Sequence, residues 1–285
     1  MTVAVIAAKI AKERKNTKMI EKTLERLTNQ QYRERPAISR SNLFKIAKSP
    51  FHFIYDMEHK KTDTASLLFG RAAHKYILEK DHFNDEFAIA PDCDRRTKAG
   101  KEEYIAFCFD NSGKDIISQS DMDTIMEMAT VIDLHPIARQ LLTGLTETSF
   151  FWTDETTGEQ CKCRPDCLSE YEGEKFIVDY KTTDSCEDGK FERSCRKYGY
   201  KLQSGMYTEG VFQNLFDQYR FAFVAQEKTA PYAVRVYICT PEYVNQGYDQ
   251  FRELIGIYHS CKETGNWYGY EGPFNSVTEL LEEGE

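Results

Sequence analysis

The segment from Glu147 to Lys181 constrains this chain more than any other. Three apolar-rich stretches there are separated by two turn signals, Asp154-Glu155-Thr156-Thr157-Gly158 and Glu170-Tyr171-Glu172-Gly173-Glu174. Turn-forming residues at that spacing between β-prone runs predict an antiparallel meander. The last stretch, Phe176-Ile177-Val178-Asp179-Tyr180-Lys181, is an apolar run that ends in an acid and a base. Side chains alternate along a strand, so Asp179 and Lys181 share a face. In the stretch before it, Cys161-Lys162-Cys163-Arg164-Pro165-Asp166, the last acid is in phase with Lys162 and Arg164, and a short turn brings Asp166 beside Asp179. Two carboxylates and an ammonium then converge. Close carboxylates repel one another in a poorly solvated site unless a cation or proton lies between them, and hard oxygen ligands suit magnesium, with manganese as its substitute. Such a cluster has the parts for in-line phosphodiester hydrolysis. Taken one at a time, the same residues are ordinary strand-end charges.

The elements around the meander point to one α/β domain. Helical patterns are expected near 39–56, 65–80, 119–142 and 190–215, strands near 219–226 and 232–239, and a last helix near 241–263 opened by Thr240-Pro241-Glu242, with Thr as cap and Pro in the first turn. Helices on both sides of a mixed sheet follow. The ends differ in character. Residues 1–37 read as a basic helical arm, with nine Lys/Arg against four Asp/Glu in the first 35, and residues 266–285 as an acidic tail, with five Glu after position 270. The core domain is expected over 38–265.

Composition limits the partners. With 37 Lys+Arg against 46 Asp+Glu the net charge is -9, so bulk attraction to a polyanion is excluded and nucleic-acid contact needs a locally basic surface. No run reaches the roughly 18 apolar residues of a membrane span, and the first residues lack the cationic start of a secretory leader; a soluble, cytoplasmic protein is expected. Nine cysteines, odd in number and scattered, do not form a disulfide framework. Cys161, Cys163 and Cys167 have a spacing that zinc or an iron-sulfur cluster could use with Cys186 or Cys195 as fourth ligand. The other reading is of buried thiols on a strand face.

Pro165-Asp166 with Asp179-Tyr180-Lys181 resembles the PD-(D/E)xK nuclease signature. The surroundings resemble the exonuclease VIII (RecE-type) branch of phages and prophages: Ser39-Arg40-Ser41-Asn42-Leu43 with Ser49-Pro50, Leu68-Phe69-Gly70-Arg71-Ala72-Ala73-His74, Cys163-Arg164-Pro165-Asp166, and Gln203 with Tyr207. The resemblance implies a restriction-endonuclease-like core, a mixed central sheet with an antiparallel meander flanked by helices. It implies a magnesium-dependent 5′-to-3′ exodeoxyribonuclease on linear double-stranded DNA, generating 3′ overhangs for recombination by strand annealing. A homo-oligomeric ring (trimer or tetramer), a single-strand annealing partner and a phage or prophage origin in a bacterial cytoplasm come with it. Related iron-sulfur nucleases place their cysteines outside the core, whereas Cys161, Cys163 and Cys167 lie within it, which argues against a cluster.

Residue by residue, the resemblance makes Asp166 the central metal ligand, Asp179 a second ligand with the Tyr180 carbonyl nearby, and Lys181 the group that holds the attacking water. Glu147 matches the upstream acid and His74 the histidine near the metal. Gln203 and Tyr207, one helical turn apart and so on one face, match the element that positions substrate. Arg164 and the helix cations Arg193, Arg196, Lys197 and Lys201 are candidate DNA contacts; Arg40, Lys45, Lys48, Arg71 and Lys75 form a second candidate wall of a duplex groove. An endonuclease or single-strand nuclease on the same core, or a non-catalytic phage DNA- or protein-binding module, is the alternative.

Overall fold

The computed structural model describes residues 27–59 and 64–273; most of the expected arm and half or more of the expected tail lie outside the described residues. Among the described residues four helices come first, α1 (Asn29–Glu34), α2 (Arg40–Lys48), α3 (Pro50–Glu58) and α4 (Ala65–Leu78). After them, α5 (Phe83–Glu86) and α6 (Lys98–Asp110) are interleaved with a short parallel pair, β1 (Phe87–Ile89) and β2 (Asp115–Ile117). Helices α7 (Gln119–Leu134) and α8 (Pro136–Leu141) lead into β3 (Leu145–Thr146), β4 (Phe150–Thr153), β5 (Gln160–Cys163), β6 (Cys167–Tyr171) and β7 (Glu174–Thr183). Then come α9 (Asp188–Tyr198), α10 (Tyr200–Leu215), β8 (Arg220–Glu227), β9 (Val234–Ile238) and α11 (Pro241–Thr264).

The central sheet is mixed, in the order β3-β6-β7-β8-β9, with β7 and β8 parallel and the other pairs antiparallel. Its middle strands are apolar on both faces, as a sheet covered on both sides requires. Phe176, Val178 and Tyr180 of β7 and Ala222 and Val224 of β8 pack with Ile132, Ala138 and Leu141 of α7 and α8. Their alternates Ile177, Phe221, Phe223 and Ala225 pack on the other face with residues of α2, α10 and α11. Asp179 follows Ile177 on that second face and is therefore directed at α10.

Three of the expected helices are each broken in two, at signals present in the sequence. Pro50 and Pro136 sit at the first turn of α3 and α8, with Ser49 and His135 as the caps; proline cannot donate the hydrogen bond that would continue the preceding helix. Gly199 ends α9 at φ 67, the left-handed conformation that glycine reaches without a Cβ penalty. The turn that follows presents α10 to the sheet at a new angle.

The meander also differs from expectation. Strands β4 and β5 form a separate antiparallel pair, while β3 and β6 pair in the central sheet. The register that pairs Phe150 with Cys163 is the one that pairs Thr146 with Cys167, so this is one long hairpin interrupted at 147–149 and 164–166. Pro165 has no N–H to give to the ladder, and Glu147 takes φ 49. Here the hairpin crosses from one sheet to the other.

Candidate metal and catalytic site

The interruption creates the site. Glu147 and Asp166 stand opposite each other across it, joined by a main-chain hydrogen bond from Glu147 N to Asp166 O at 3.1 Å. Strand β7 runs on past the last β6 pairing, Cys167 with Val178, so the Tyr180 N–H on that side has no strand partner. A buried N–H must be satisfied, and the Asp166 carboxylate does so, Oδ2 accepting at 2.6 Å. Tyr180 thus touches Asp166 through its N–H, a contact separate from the carbonyl expected near the metal. The Tyr180 ring lies on the opposite face, its hydroxyl donating to Gln226 Oε1 at 2.7 Å, and Gln226 in turn donates to the Met128 carbonyl. This fixes β7 against α7.

Helix α4 delivers His74 to the same corner. Its Nε2 is 2.9 Å from Asp166 Oδ2 and its Nδ1 is 3.4 Å from Glu147 Oε1. Ligand atoms of His74, Glu147 and Asp166 all lie within 4.8 Å of one another, the one such group of His, Cys, Asp or Glu among the described residues. One imidazole nitrogen and two carboxylates make a donor set suited to a hard or borderline divalent cation. Asp179 is adjacent but stands outside this trio. It is 1% exposed, its Oδ1 accepts from Gln203 Nε2, and its Oδ2 is ion-paired with Lys181, with no hydrogen bond to that oxygen beyond the lysine contact. Asp179 and Lys181 pair with each other, and both lie within electrostatic reach of Asp166.

The ionisation of these groups reflects their crowding. Burial and the Asp166 charge push Asp179 up to about 6, with Lys181 and Arg40 opposing. Burial and Asp166 likewise push Glu147 up to about 7 against the pull of His74 and Arg164. Burial works against a charged His74, but Asp166 and Glu147 overcome it and hold the imidazole up at about 9. Asp166 is held low despite its burial, by His74, Lys181 and the Tyr180 N–H. Burial disfavours a charged Lys181, yet Asp179 and Asp166 keep the ammonium above its ordinary range. A surplus of carboxylate, offset by an imidazolium, is the arrangement a divalent cation would relieve.

Several expected DNA contacts are spent inside the molecule. Arg164 is 9% exposed: its Nε donates to Ser149 Oγ at 3.0 Å, its Nη1 to Asn29 Oδ1 at 2.8 Å, its Nη2 to the carbonyls of Leu27 and Thr28, and it lies 3.6 Å from Glu147 Oε2. It is a strut between the residues ahead of α2 and a metal-ligand candidate, not a surface cation. Lys162 is similar, donating to the carbonyls of Tyr32, Arg33 and Arg35. These two side chains tie residues 27–35 to the core, across the boundary expected near 38. Lys75 sits between Glu79 and Glu86, each at 2.7 Å, so it too is corrected. Arg71 pairs with Asp115, Lys45 with Asp56, and Arg40 donates to Gln203. Of the second basic wall, Lys45, Arg71 and Lys75 are thus paired with acids and Arg40 is held on an amide, while Lys48 stays exposed. On the other side Arg193, Arg196 and Lys197 are exposed on α9, and Lys201 donates to Gln246. Gln203 is buried with its amide on Asp179, and Tyr207, one turn on, has its ring 6.5 Å from Phe221.

The cysteine spacing does not make a metal site. Cys161 and Cys163 belong to the core on one side of the sheet and Cys167 to the core on the other, and all nine thiols are unpaired. What the sequence reading missed is the support around the acids: Lys162 and Arg164 clamping residues 27–35, and Arg40 behind Gln203. The sole hint was an Arg in phase with Asp166, which carries no information about where its side chain ends.

Residues 39–278 match the family model described as a PDDEXK-like domain of unknown function (DUF3799). Among solved structures the chain is similar to a protein from Eubacterium rectale named "Putative exonuclease", with 16% identity, 92% of this chain and 96% of that chain covered, and a TM-score of 0.59. At that identity the likeness speaks for the fold. A second solved structure, named SSO0001, has 14% identity with 87% of this chain and 86% of that chain covered, and its TM-score of 0.37 carries no argument. No curated protein sequence matches. Among the described residues no helix is long and apolar enough to cross a membrane.

Proposed function

We propose that this chain, which belongs to the PDDEXK-like domain family, is a divalent-metal-dependent nuclease that acts as a 5′-to-3′ exonuclease on linear double-stranded DNA and leaves 3′ overhangs. The superfamily is the one that Pro165-Asp166 and Asp179-Tyr180-Lys181 resemble. The observation that carries the activity is the meeting of His74, Glu147 and Asp166 beside the Asp179–Lys181 pair.

The residues divide the work. Asp166, Glu147 and His74 would hold magnesium or manganese, with Asp179 completing the set. When bound, the ion supplies Lewis acidity toward a phosphate oxygen and a more acidic water. The Lys181 ammonium, held by Asp179, donates to the attacking water and offsets charge developing on the phosphate. Arg164 keeps Glu147 aimed into the site. Arg196 and Lys197 take backbone phosphates, which position the strand without reading its bases. A homo-oligomeric ring of three or four copies and a single-strand annealing partner belong to the same reading: with a net charge of -9, the outer surface repels DNA and enclosure keeps it against the α9 cations. Sedimentation with and without duplex checks the ring.

The test of the activity uses end-labelled linear duplex and a closed circular duplex with magnesium or manganese. The parent should digest the linear form from its 5′ ends and spare the circle, and Lys181→Ala and Asp166→Asn should slow digestion by roughly a hundredfold or more. Digestion of the circle would point to an endonuclease on the same core. Variants as fast as the parent would remove the site assignment, and no digestion under any condition would favour a binding module.

A further inference from the structure

We propose that Arg40 is a positioning residue that acts on the reaction centre through Gln203, and not a phosphate contact. The inference rests on the nuclease reading of the site. Gln203 is 3% exposed and bridges two groups of opposite kind: its Oε1 accepts from Arg40 Nη2 at 2.7 Å and its Nε2 donates to Asp179 Oδ1. An amide is nearly symmetric in shape, so its orientation is set by its partners. A guanidinium only donates and a carboxylate only accepts, so both ends select one orientation. Arg40 is itself fixed, its guanidinium 5.9 Å from the ring centre of Phe44 and 6.0 Å from that of Tyr200. The Lys181 ammonium lies 5.0 Å from the same Tyr200 ring.

The consequence falls on Asp179. With Oδ1 tied to Gln203, the carboxylate cannot rotate, and Oδ2 stays directed at Lys181. Without Arg40 the Gln203 oxygen is left buried and unpaired, the amide is free to turn its oxygen toward Asp179, and two acceptors then face each other. Asp179 would swing away and release Lys181. The chain Arg40, Gln203, Asp179, Lys181 thus links α2, α10 and β7 at the site.

The test is a double-mutant cycle of Arg40→Met and Gln203→Met, with Arg40→Lys as the variant that keeps a donor. Three quantities are read: kcat and KM on linear duplex, manganese affinity of the DNA-free protein by calorimetry, and the melting temperature. Each single Met variant should lower kcat and manganese affinity together by roughly 10- to 100-fold, with KM changed by no more than about twofold. The double variant should be no worse than Gln203→Met alone, and Arg40→Lys should recover part of the loss. A rise in KM with kcat and manganese affinity untouched would make Arg40 a phosphate contact and overturn the proposal, as would losses that add in the double variant. Should Arg40→Met not fold, the cycle is run with Arg40→Gln. Because manganese affinity is read without substrate, the coupling is decided even if the parent degrades no DNA.

Discussion

Removing the divalent ion should make this protein lose stability as the pH rises from 5.5 to 8.5. Burial and the Asp166 charge push Asp179 up to about 6 and Glu147 up to about 7. A carboxyl raised in the folded state costs nothing while both states are protonated. Its penalty develops between the unfolded value, near 4, and the folded one, and is complete above it. His74 runs the same way: burial opposes its charge, but Asp166 and Glu147 hold it up at about 9. Its contribution is whole below the unfolded value of about 6.5 and is lost as the pH passes through 9. One pKa unit is about 1.4 kcal/mol, so each group alone amounts to ~3 kcal/mol. The three share one corner and titrate as a set, which makes about 3–5 kcal/mol a better figure than their sum. At about 2–4 °C per kcal/mol for a chain of this size, the chelated protein should melt on the order of 10 °C lower at pH 8.5 than at 5.5. Asp154, held low by Thr157 and Arg252 in spite of burial, and Glu159, held low by Lys262 and His259 in spite of burial, lose their contributions only below the window. A bound cation neutralises the carboxylates and displaces the imidazole proton, so magnesium or manganese should raise the melting temperature strongly at pH 8.5 and little at 5.5. The measurement is a thermal melt in chelator and in metal at both pH values. A chelated melting temperature that is flat or rises with pH, or a metal shift equal at both, would refute the reasoning.

Helices α10 and α11 meet back to back at Gly205 and Gly247, where an added Cβ would stand 2.0 Å from Tyr248 N and 1.9 Å from Lys201 O respectively. Backbone cannot give way as a side-chain tip can, so Gly247→Ala should cost about 3 kcal/mol or more, read as a lower urea midpoint with an unchanged slope. An unchanged midpoint would place the helices farther apart. Deleting residues 1–35 removes every acceptor of Lys162 named above and three of those of Arg164; stability should fall by about 1–3 kcal/mol and manganese affinity should fall with it, because Arg164 no longer braces Glu147. Equal affinity would show that Arg164 holds its place unaided. Burial drives the Cys163 thiol well up, so a thiol reagent should modify it only as fast as the molecule unfolds, whereas modification faster than unfolding would place that thiol at the surface.

Periodicity carried the sequence reading as far as faces and no farther. Alternation along Phe176 to Lys181 was enough to put Asp179 and Lys181 together, because a strand offers two directions and one of them was apolar. Pro165 and Gly199 stand in the sequence as residues able to break a strand or a helix, yet neither was read so, and what each breaks depends on partners distant in the chain. The step of the hairpin between sheets needs both Pro165 and, on the facing strand, the left-handed Glu147, and a non-glycine residue in that conformation leaves no trace in a single sequence. Charge was read least well. Arg164, Lys75 and Arg71 have the composition of a phosphate-binding surface, but long side chains reach neighbours that sequence spacing does not reveal: Leu27 and Thr28 for Arg164, Glu86 for Lys75, and Asp115 for Arg71. Counting cations along a helix therefore overstated the positive surface on α2 and α4, where of the cations named above Lys48 alone is exposed, whereas Arg193, Arg196 and Lys197 of α9 all are.

The interruption of the hairpin is what makes the site chemically possible. In an unbroken hairpin every main-chain group at this level would be paired along the ladder, and the space between the sheets would be filled by apolar side chains such as Phe150 and Leu168, both deeply buried. Where the hairpin crosses between sheets, ladder bonds are missing, and the gap is filled by polar groups that are themselves buried: Thr148, Ser149, Arg164 and Asp166. A carboxylate is tolerated there because main-chain N–H groups such as that of Tyr180 are in need of an acceptor, and a second is tolerated because the first is already hydrogen-bonded and an imidazole stands between them. Backbone strain of about 1–3 kcal/mol at a residue like Glu147 is offset by these contacts. The candidate metal site follows from an interruption in the strand pairing, and the strands on either side hold Glu147 and Asp166 in place.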